Sequence, residues 1–273
     1  MQTQHVNISE LYSLEGQATL DCFTFGTFRD DGVDEKRPAI VVVPGGGYAM
    51  VSKREGEPIA AYFMGKGYNA FILTYSCAPI RYPAQLLQLA ATVDYLHANA
   101  ERLHIDEQRI YIVGFSAGGH LVANFATDYP NIDSRFGKSW NLAATAVCLS
   151  YPVISPEYGH VGSHENLFGA LTDEQKATFD NVFNIDKYVT DKALPAFVWT
   201  TFEDNCVPPI NALRYAEACI AAGVMCELHM YPQGWHGLST CDELVNTAQP
   251  FFAKNHTWLG MCEQFFKLFP KNN

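Results

Sequence analysis

"IYIVGFSAGGHLVANFAT", Ile110 to Thr127, holds one serine, Ser116, among apolar and very small residues. Its β-branched start reads as a strand buried on both faces, and a helix is expected beyond the glycines. Between them Gly114-Phe115-Ser116-Ala117-Gly118 fits G-x-S-x-G, with Gly119 following. A nucleophile on such a turn sits at strained backbone angles. Small residues at 114 and 118 let strand and helix approach closely while the serine points into the open. A serine that only caps a helix gives the same pentapeptide. The buried strand before it and the helix after it favour the nucleophile.

Outward from this turn, strands alternate with helices, without linker-like composition or internal repeats. "TLDCFTFGTF" (Thr19 to Phe28) alternates like a strand with one wet face, and "AIVVVPGGG" (Ala39 to Gly47) reads as a buried strand. "EPIAAYFMGKG" predicts a helix closed by Gly67, "YNAFILTYS" the next strand, and "YPAQLLQLAATVDYLHANAERL" a helix with Pro83 in its first turn. "TAVCLSYPVI", "LPAFVWTTF" and "CELHMYP" are further buried-strand candidates, and "FFAKNHTWLG" is helical. This rhythm predicts one α/β domain over residues 1–273, a mostly parallel, doubly wound sheet with helices on both faces. The polar segment Ser155 to Thr190 interrupts it and is expected to form a short cap over the strand ends. Ligands of such sheets bind outside the carboxyl ends of the strands.

The bulk numbers narrow the partners. Lys+Arg 18 against Asp+Glu 29 gives a net charge of -11, which repels phosphate backbones and anionic membrane surfaces. Neither nucleic acid nor a membrane is an expected partner, and a homo-oligomer is compatible with the sequence. The start, "MQTQHVNISELYSLEG", lacks a basic region followed by an apolar one, and no apolar run reaches about 18 residues. Eight scattered cysteines without a CxxC pair read as reduced thiols, so a cytoplasmic location is expected. No cofactor motif occurs. His160 and His164 stand four apart in "GHVGSHE", without a cysteine or third ligand in support, and are read as loop histidines with no metal.

A serine hydroxyl needs a base, and the base a carboxylate to steer it. His229 lies inside a strand and His256 in a helical stretch, whereas His236 lies in "YPQGWHGLS", a glycine-flanked loop past a strand. His236 is therefore the expected base. "LPAFVWTTFEDNCVPP" offers Glu203 and Asp204, which point in opposite directions on an extended chain. Asp204 begins a turn and has the shorter, stiffer reach, so it is chosen, with Glu203 as substitute. For the developing oxyanion, the Ala117 N–H at the helix start is one donor. Gly45, Gly46 and Gly47 offer others, with no Cβ in the way. Their spacing is not G-x-G-x-x-G, which argues against a nucleotide cradle.

In the order "PGGGY", "GFSAGGHL", "DNCVP" and "GWHGL", the chain resembles the α/β-hydrolase fold. More closely it resembles the BD-FAE and acetyl-xylan-esterase-like carbohydrate esterases, from about Ile40 to Leu238. The resemblance implies Ser116 as nucleophile, Asp204 as orienting acid, His236 as base, and the N–H groups of Gly46, Gly47 and Ala117 as oxyanion hole. Many relatives carry His-Gly-Gly-Gly, and Pro44 stands here in place of that histidine, which removes its support of the loop. "SKREGEPIA" and "GSHENLFG" also look like segments of these esterases, which places Arg54, Glu55 and Ser163 at the mouth.

The expected reaction is hydrolysis of a small-molecule ester with a short acyl chain, acetyl first, through an acyl-enzyme and without a cofactor. Tyr48, Tyr75, Tyr151, Tyr158 and Trp235 are candidates for stacking a sugar face. Two rivals remain: a serine peptidase of the prolyl-oligopeptidase type, and a non-catalytic binding protein on the same fold.

Overall fold

The computed structural model describes residues 1–26, 28, 30–31 and 35–269. The chain begins with strand β1 (Gln2–Asn7) and the short helix α1 (Ile8–Tyr12), followed by β2 (Thr19–Thr24) and β3 (Arg37–Val43). Next come a 3₁₀ turn (Lys53–Glu55), α2 (Glu57–Met64), β4 (Asn69–Thr74), α3 (Ala84–Ala98), β5 (Ile105–Phe115), α4 (Ala117–Phe136) and β6 (Ala146–Ser150). Between β6 and β7 (Ala196–Thr201) lie 3₁₀ turns at Pro156–Tyr158 and Ile185–Tyr188, and helices α5 (Gly162–Phe168), α6 (Asp173–Thr178) and α7 (Asp180–Phe183). The chain continues with α8 (Ile210–Ala221), β8 (Cys226–Tyr231), α9 (Phe252–Asn255) and α10 (Thr257–Phe266).

The eight strands form one sheet in the order β1-β2-β4-β3-β5-β6-β7-β8. β2 runs antiparallel to both β1 and β4, and every other pair is parallel. Alternation along the central strands separates two cores. Ala39, Val41 and Val43 of β3 pack with residues of α3, α4 and α8, while Ile40 and Val42 face residues of α2 and α10. A strand flanked by helices on both faces has no wet side, and this is why β3, β5 and β6 are runs of apolar residues. β2 does alternate between buried and half-buried positions, as "TLDCFT" suggests.

Three differences from the sequence reading have physical causes. The polar "QTQHVN" forms β1 because an edge strand needs only one partner and stays exposed. "CELHMY" closes the opposite edge and is mostly half-buried, so β8 is not the buried strand its composition suggests. The strand expectation over Thr19 to Phe28 stops at Thr24, and residue 27 lies outside the described residues. No helix among the described residues is long and apolar enough to cross a membrane.

Candidate active site

In register, Val43 lies beside Gly114, so the chains leaving β3 and β5 emerge side by side. The first becomes the glycine loop and the second the Ser116 turn. Gly118 is fixed by this approach: a Cβ there would lie 2.2 Å from the Val43 carbonyl oxygen and 2.3 Å from that of Pro44. Ser116 has φ 53° and ψ -117°, a conformation that costs a non-glycine residue about 1–3 kcal/mol. Its hydroxyl makes no capping bond to α4. Instead it donates to His236 Nε2 at 2.8 Å. The capping role weighed for this serine is therefore not the one it has.

His236, on the loop after β8, gives its Nδ1–H to Asp204 Oδ2 at 2.7 Å. That bond leaves the lone pair on Nε2 for the serine proton. Asp204, past the end of β7, is buried, and its other oxygen accepts the backbone N–H groups of Cys206 at 3.0 Å and Val207 at 2.9 Å. The carboxylate is thus held by its Oδ1 on the turn's own backbone, which leaves Oδ2 for the imidazole. Glu203 points elsewhere and accepts the Gly234 N–H at 3.0 Å, which props the histidine loop from its far end. Ser116, Asp204 and His236 come from the carboxyl ends of three parallel strands.

The glycine loop is fastened at four residues, Pro44, Gly45, Gly47 and Tyr48. Tyr75 O–H donates to the Pro44 carbonyl at 2.8 Å, and Glu55 Oε2 accepts the Gly45 N–H at 2.8 Å. Asn166 Nδ2 donates to the Gly47 carbonyl at 2.9 Å, and Tyr48 O–H donates to His120 Nδ1 at 2.8 Å. His120 in turn gives its Nε2–H to the Val182 carbonyl at 2.8 Å, tying loop, α4 and the insertion together. Burial lowers the His120 pKa to about 4, so the ring stays neutral as this double role requires. The loop is thus held without a histidine at position 44. Because the Gly45 N–H is committed to Glu55, the glycines left to donate are 46 and 47. Gly46, at φ 126°, is in a backbone region that side chains rarely enter.

Several expected mouth residues lie deeper than the sequence suggested. Glu55, 4% exposed, is buried behind the loop, where its Oε1 accepts Tyr151 O–H at 2.7 Å. Tyr151 O–H also accepts the Ser239 N–H at 3.0 Å, and its ring meets the His236 ring edge-on at 5.0 Å. Glu55 thereby joins the glycine loop to the histidine loop. Tyr48, Tyr75 and Tyr151 are all buried with their hydroxyls engaged, so none offers a face to a sugar. Only Tyr158 and Trp235 of that aromatic set are partly open, Trp235 against Phe251 and Phe252. Arg54 is exposed and donates to the Gly237 carbonyl and Asn246 Oδ1, which ties it to the histidine loop. Ser163, 1% exposed, has an unpartnered Oγ that lies 3.9 Å from the position of a Cβ on Gly47.

Glu55 and Tyr151, which the sequence placed against the substrate, act instead as supporting groups, together with His120, which sequence reasoning did not name. Of the two histidines read as loop residues, His160 lies over His236, whereas His164 is on helix α5, buried against His120 and Phe183. Among the described residues, no group of three or more His, Cys, Asp or Glu side chains is placed to hold a metal ion.

A serine, a histidine and an aspartate joined in series at the carboxyl ends of a mostly parallel sheet define an α/β hydrolase. The chain belongs to the BD-FAE family, whose model matches residues 28–218. It is 32% identical over 218 residues to endo-1,4-beta-xylanase B of Butyrivibrio fibrisolvens, covering 77% of this chain and 34% of that protein. With an acetylxylan esterase of Xylanibacter ruminicola it shares 29% identity over 209 residues, 73% of this chain and 40% of the other. The chain therefore spans between a third and two fifths of the length of these curated relatives. The crystal structure of the carboxylesterase Cest-2923 from Lactobacillus plantarum WCFS1 superposes over 100% of both chains, with TM-score 0.86 and 28% identity.

Proposed function

We propose that this protein is a serine carboxylesterase that removes short acyl groups, acetyl first, from carbohydrate-like alcohols. The observation that carries the reading is the unbroken series Ser116 Oγ to His236 Nε2 at 2.8 Å and His236 Nδ1 to Asp204 at 2.7 Å. In this reading Ser116 Oγ attacks the ester carbonyl as His236 takes its proton, and Asp204 stabilises the imidazolium. The N–H groups of Gly46, Gly47 and Ala117 hold the oxyanion. Each such donor is worth about 10²–10³ in rate. His236 then hands its proton to the leaving alcohol, and water releases the acyl group by the same steps with the roles of nucleophile and leaving group exchanged.

The short acyl chain is supported by the roof over the glycine loop. Ser163 of the insertion is buried there, 3.9 Å from the position of a Cβ on Gly47, so a long acyl chain would run into the insertion. The carbohydrate-like alcohol draws on the relative named an acetylxylan esterase and on the partly open Trp235 beside His236. A cytoplasmic setting goes with the reading, supported by eight free cysteines. The deciding test is hydrolysis of p-nitrophenyl acetate, butyrate and octanoate by the wild type and by Ser116→Ala. Acetate preference abolished by the substitution is expected. Equal turnover by both proteins would remove Ser116 as nucleophile.

A further inference from the structure

His160 stands between the 3₁₀ turn Pro156–Tyr158 and α5, with φ 59°. The left-handed region is uncommon outside glycine, although histidine enters it more readily than most residues. Its consequence is the placement of the ring. The imidazole stacks over that of His236, with centroids 6.4 Å apart and planes 27° apart. Its Nδ1 meets Cys206 Sγ at 3.6 Å, on the turn that Asp204 begins. Tyr151 is buried and meets the same His236 ring from the interior, so His160 borders it from the half-open side.

Acyl transfer gives that side a chemical meaning. The base returns its proton to the leaving oxygen, which must come within hydrogen-bond reach of His236 Nε2. The carbonyl oxygen is meanwhile held by backbone N–H groups of the glycine loop, beside the buried Ser163. A side chain lying over the base therefore borders the alcohol half of the ester rather than the acyl half. Burial and the neighbouring His236 lower the pKa of His160, so its ring is neutral at pH 7. A neutral imidazole carries one donor and one acceptor; with Nδ1 against Cys206 Sγ, Nε2 is the atom left, and a hydroxyl can pair with it in either tautomer.

We propose that His160 recognises the leaving alcohol by hydrogen-bonding a hydroxyl of a polyhydroxylated alcohol such as a sugar, and so sets the alcohol preference of the site. This rests on the esterase reading above. A ring at this place also explains why a histidine stands in a strained turn: its backbone conformation aims the imidazole at the base.

The test compares two acetates with different alcohols: p-nitrophenyl acetate, which has no hydroxyl, and a mono-acetylated methyl xyloside. Wild type, His160→Phe and His160→Ala are assayed on both, and the readout is the ratio of kcat/KM for the xyloside acetate to that for p-nitrophenyl acetate. Phe keeps an aromatic ring over His236, whereas Ala removes the ring and with it any blockage. Loss of one hydrogen bond predicts that the ratio falls about 5- to 10-fold in both variants. A ratio unchanged within twofold in either variant overturns the proposal. Wild type that cleaves p-nitrophenyl acetate but not the xyloside acetate overturns it too, leaving the esterase reading intact. Wild type inactive on both esters removes the esterase reading, and this inference with it.

Discussion

Glu55→Gln is a single-atom exchange with a calculable effect. The carboxylate accepts two hydrogen bonds in a buried site, from the Gly45 N–H at 2.8 Å and from Tyr151 O–H at 2.7 Å. A glutamine amide has one acceptor oxygen. If it stays on Gly45, an NH₂ group faces Tyr151, whose oxygen already accepts the Ser239 N–H. The Gly45 bond drops from charge-assisted to neutral, and Tyr151 O–H loses its acceptor. Together these changes remove about 2–3 kcal/mol. For a chain of this size that corresponds to roughly 4–6 °C in Tm. The functional effect comes through the loop. Gly46 and Gly47 follow the loosened residue, and misplacing one oxyanion donor is expected to lower kcat about 10- to 100-fold with KM little changed. Tyr151→Phe breaks the same link from the other end, so the double variant should lose little more than either single one. Steady-state kinetics on p-nitrophenyl acetate and a thermal melt of each variant provide the data. A lowered Tm with kcat within twofold of wild type would refute the reasoning and leave Glu55 a purely structural acid.

Asp204→Asn puts a donor where the Nδ1–H needs an acceptor, and kcat should fall by about 10⁴. Glu203→Gln should lower it less than tenfold, since that side chain only props Gly234; comparable losses in the two variants would reverse the choice of acid. Gly118→Ala places a methyl group within van der Waals overlap of two backbone carbonyls. Soluble expression should collapse, and a folded, active variant would show that β3 and α4 are not as close as described. His120 governs part of the acid limb of stability. With its folded pKa lowered to about 4 from an ordinary value near 6.5, the unfolded chain takes up the proton first. Stability should be unaffected above pH 6.5 and decline between pH 6.5 and 4, by about 3 kcal/mol from this group. In a Tm-against-pH series, His120→Asn should show a shallower decline across that window, and an identical slope would sink the assignment.

The nucleophile turn is legible because its constraint is local. Strand, turn and helix are consecutive, and the residues that permit the close approach, Gly114 and Gly118, flank Ser116 in sequence. Asp204 and His236 are legible for a related reason, since each follows a strand whose composition marks its end. The supporting groups are different. Glu55 meets Tyr151 across 96 positions and Tyr48 meets His120 across 72, and no sequence pattern links either pair. The tyrosines illustrate the ambiguity: an aromatic near a strand end can face a ligand or brace a loop, and here Tyr48, Tyr75 and Tyr151 brace. His160 was legible only as a loop histidine: its place over His236 follows from a left-handed turn in a polar insertion, and nothing in "GHVGSHE" signals that turn beyond its glycines. The edge strand β1 was hidden by its polarity, since a strand with one partner carries little apolar pattern to read.

The insertion between β6 and β7 brings His160, Ser163 and Asn166 to the site from one continuous stretch, whereas the proposed catalytic groups Ser116, Asp204 and His236 hang from the sheet. Chemistry and selectivity are in this sense encoded by separable passages of the gene. Varying the exposed positions of residues 155–190, while keeping Asn166, the Val182 carbonyl that receives His120 and the core side chains Leu167, Phe168, Val182 and Ile185, leaves the glycine loop fastened and changes what stands over it. A library confined to that passage would sample new leaving groups on an intact reaction centre. Duplicated copies of such a chain can diverge in diet by the same route, changing the roof without rebuilding the hearth.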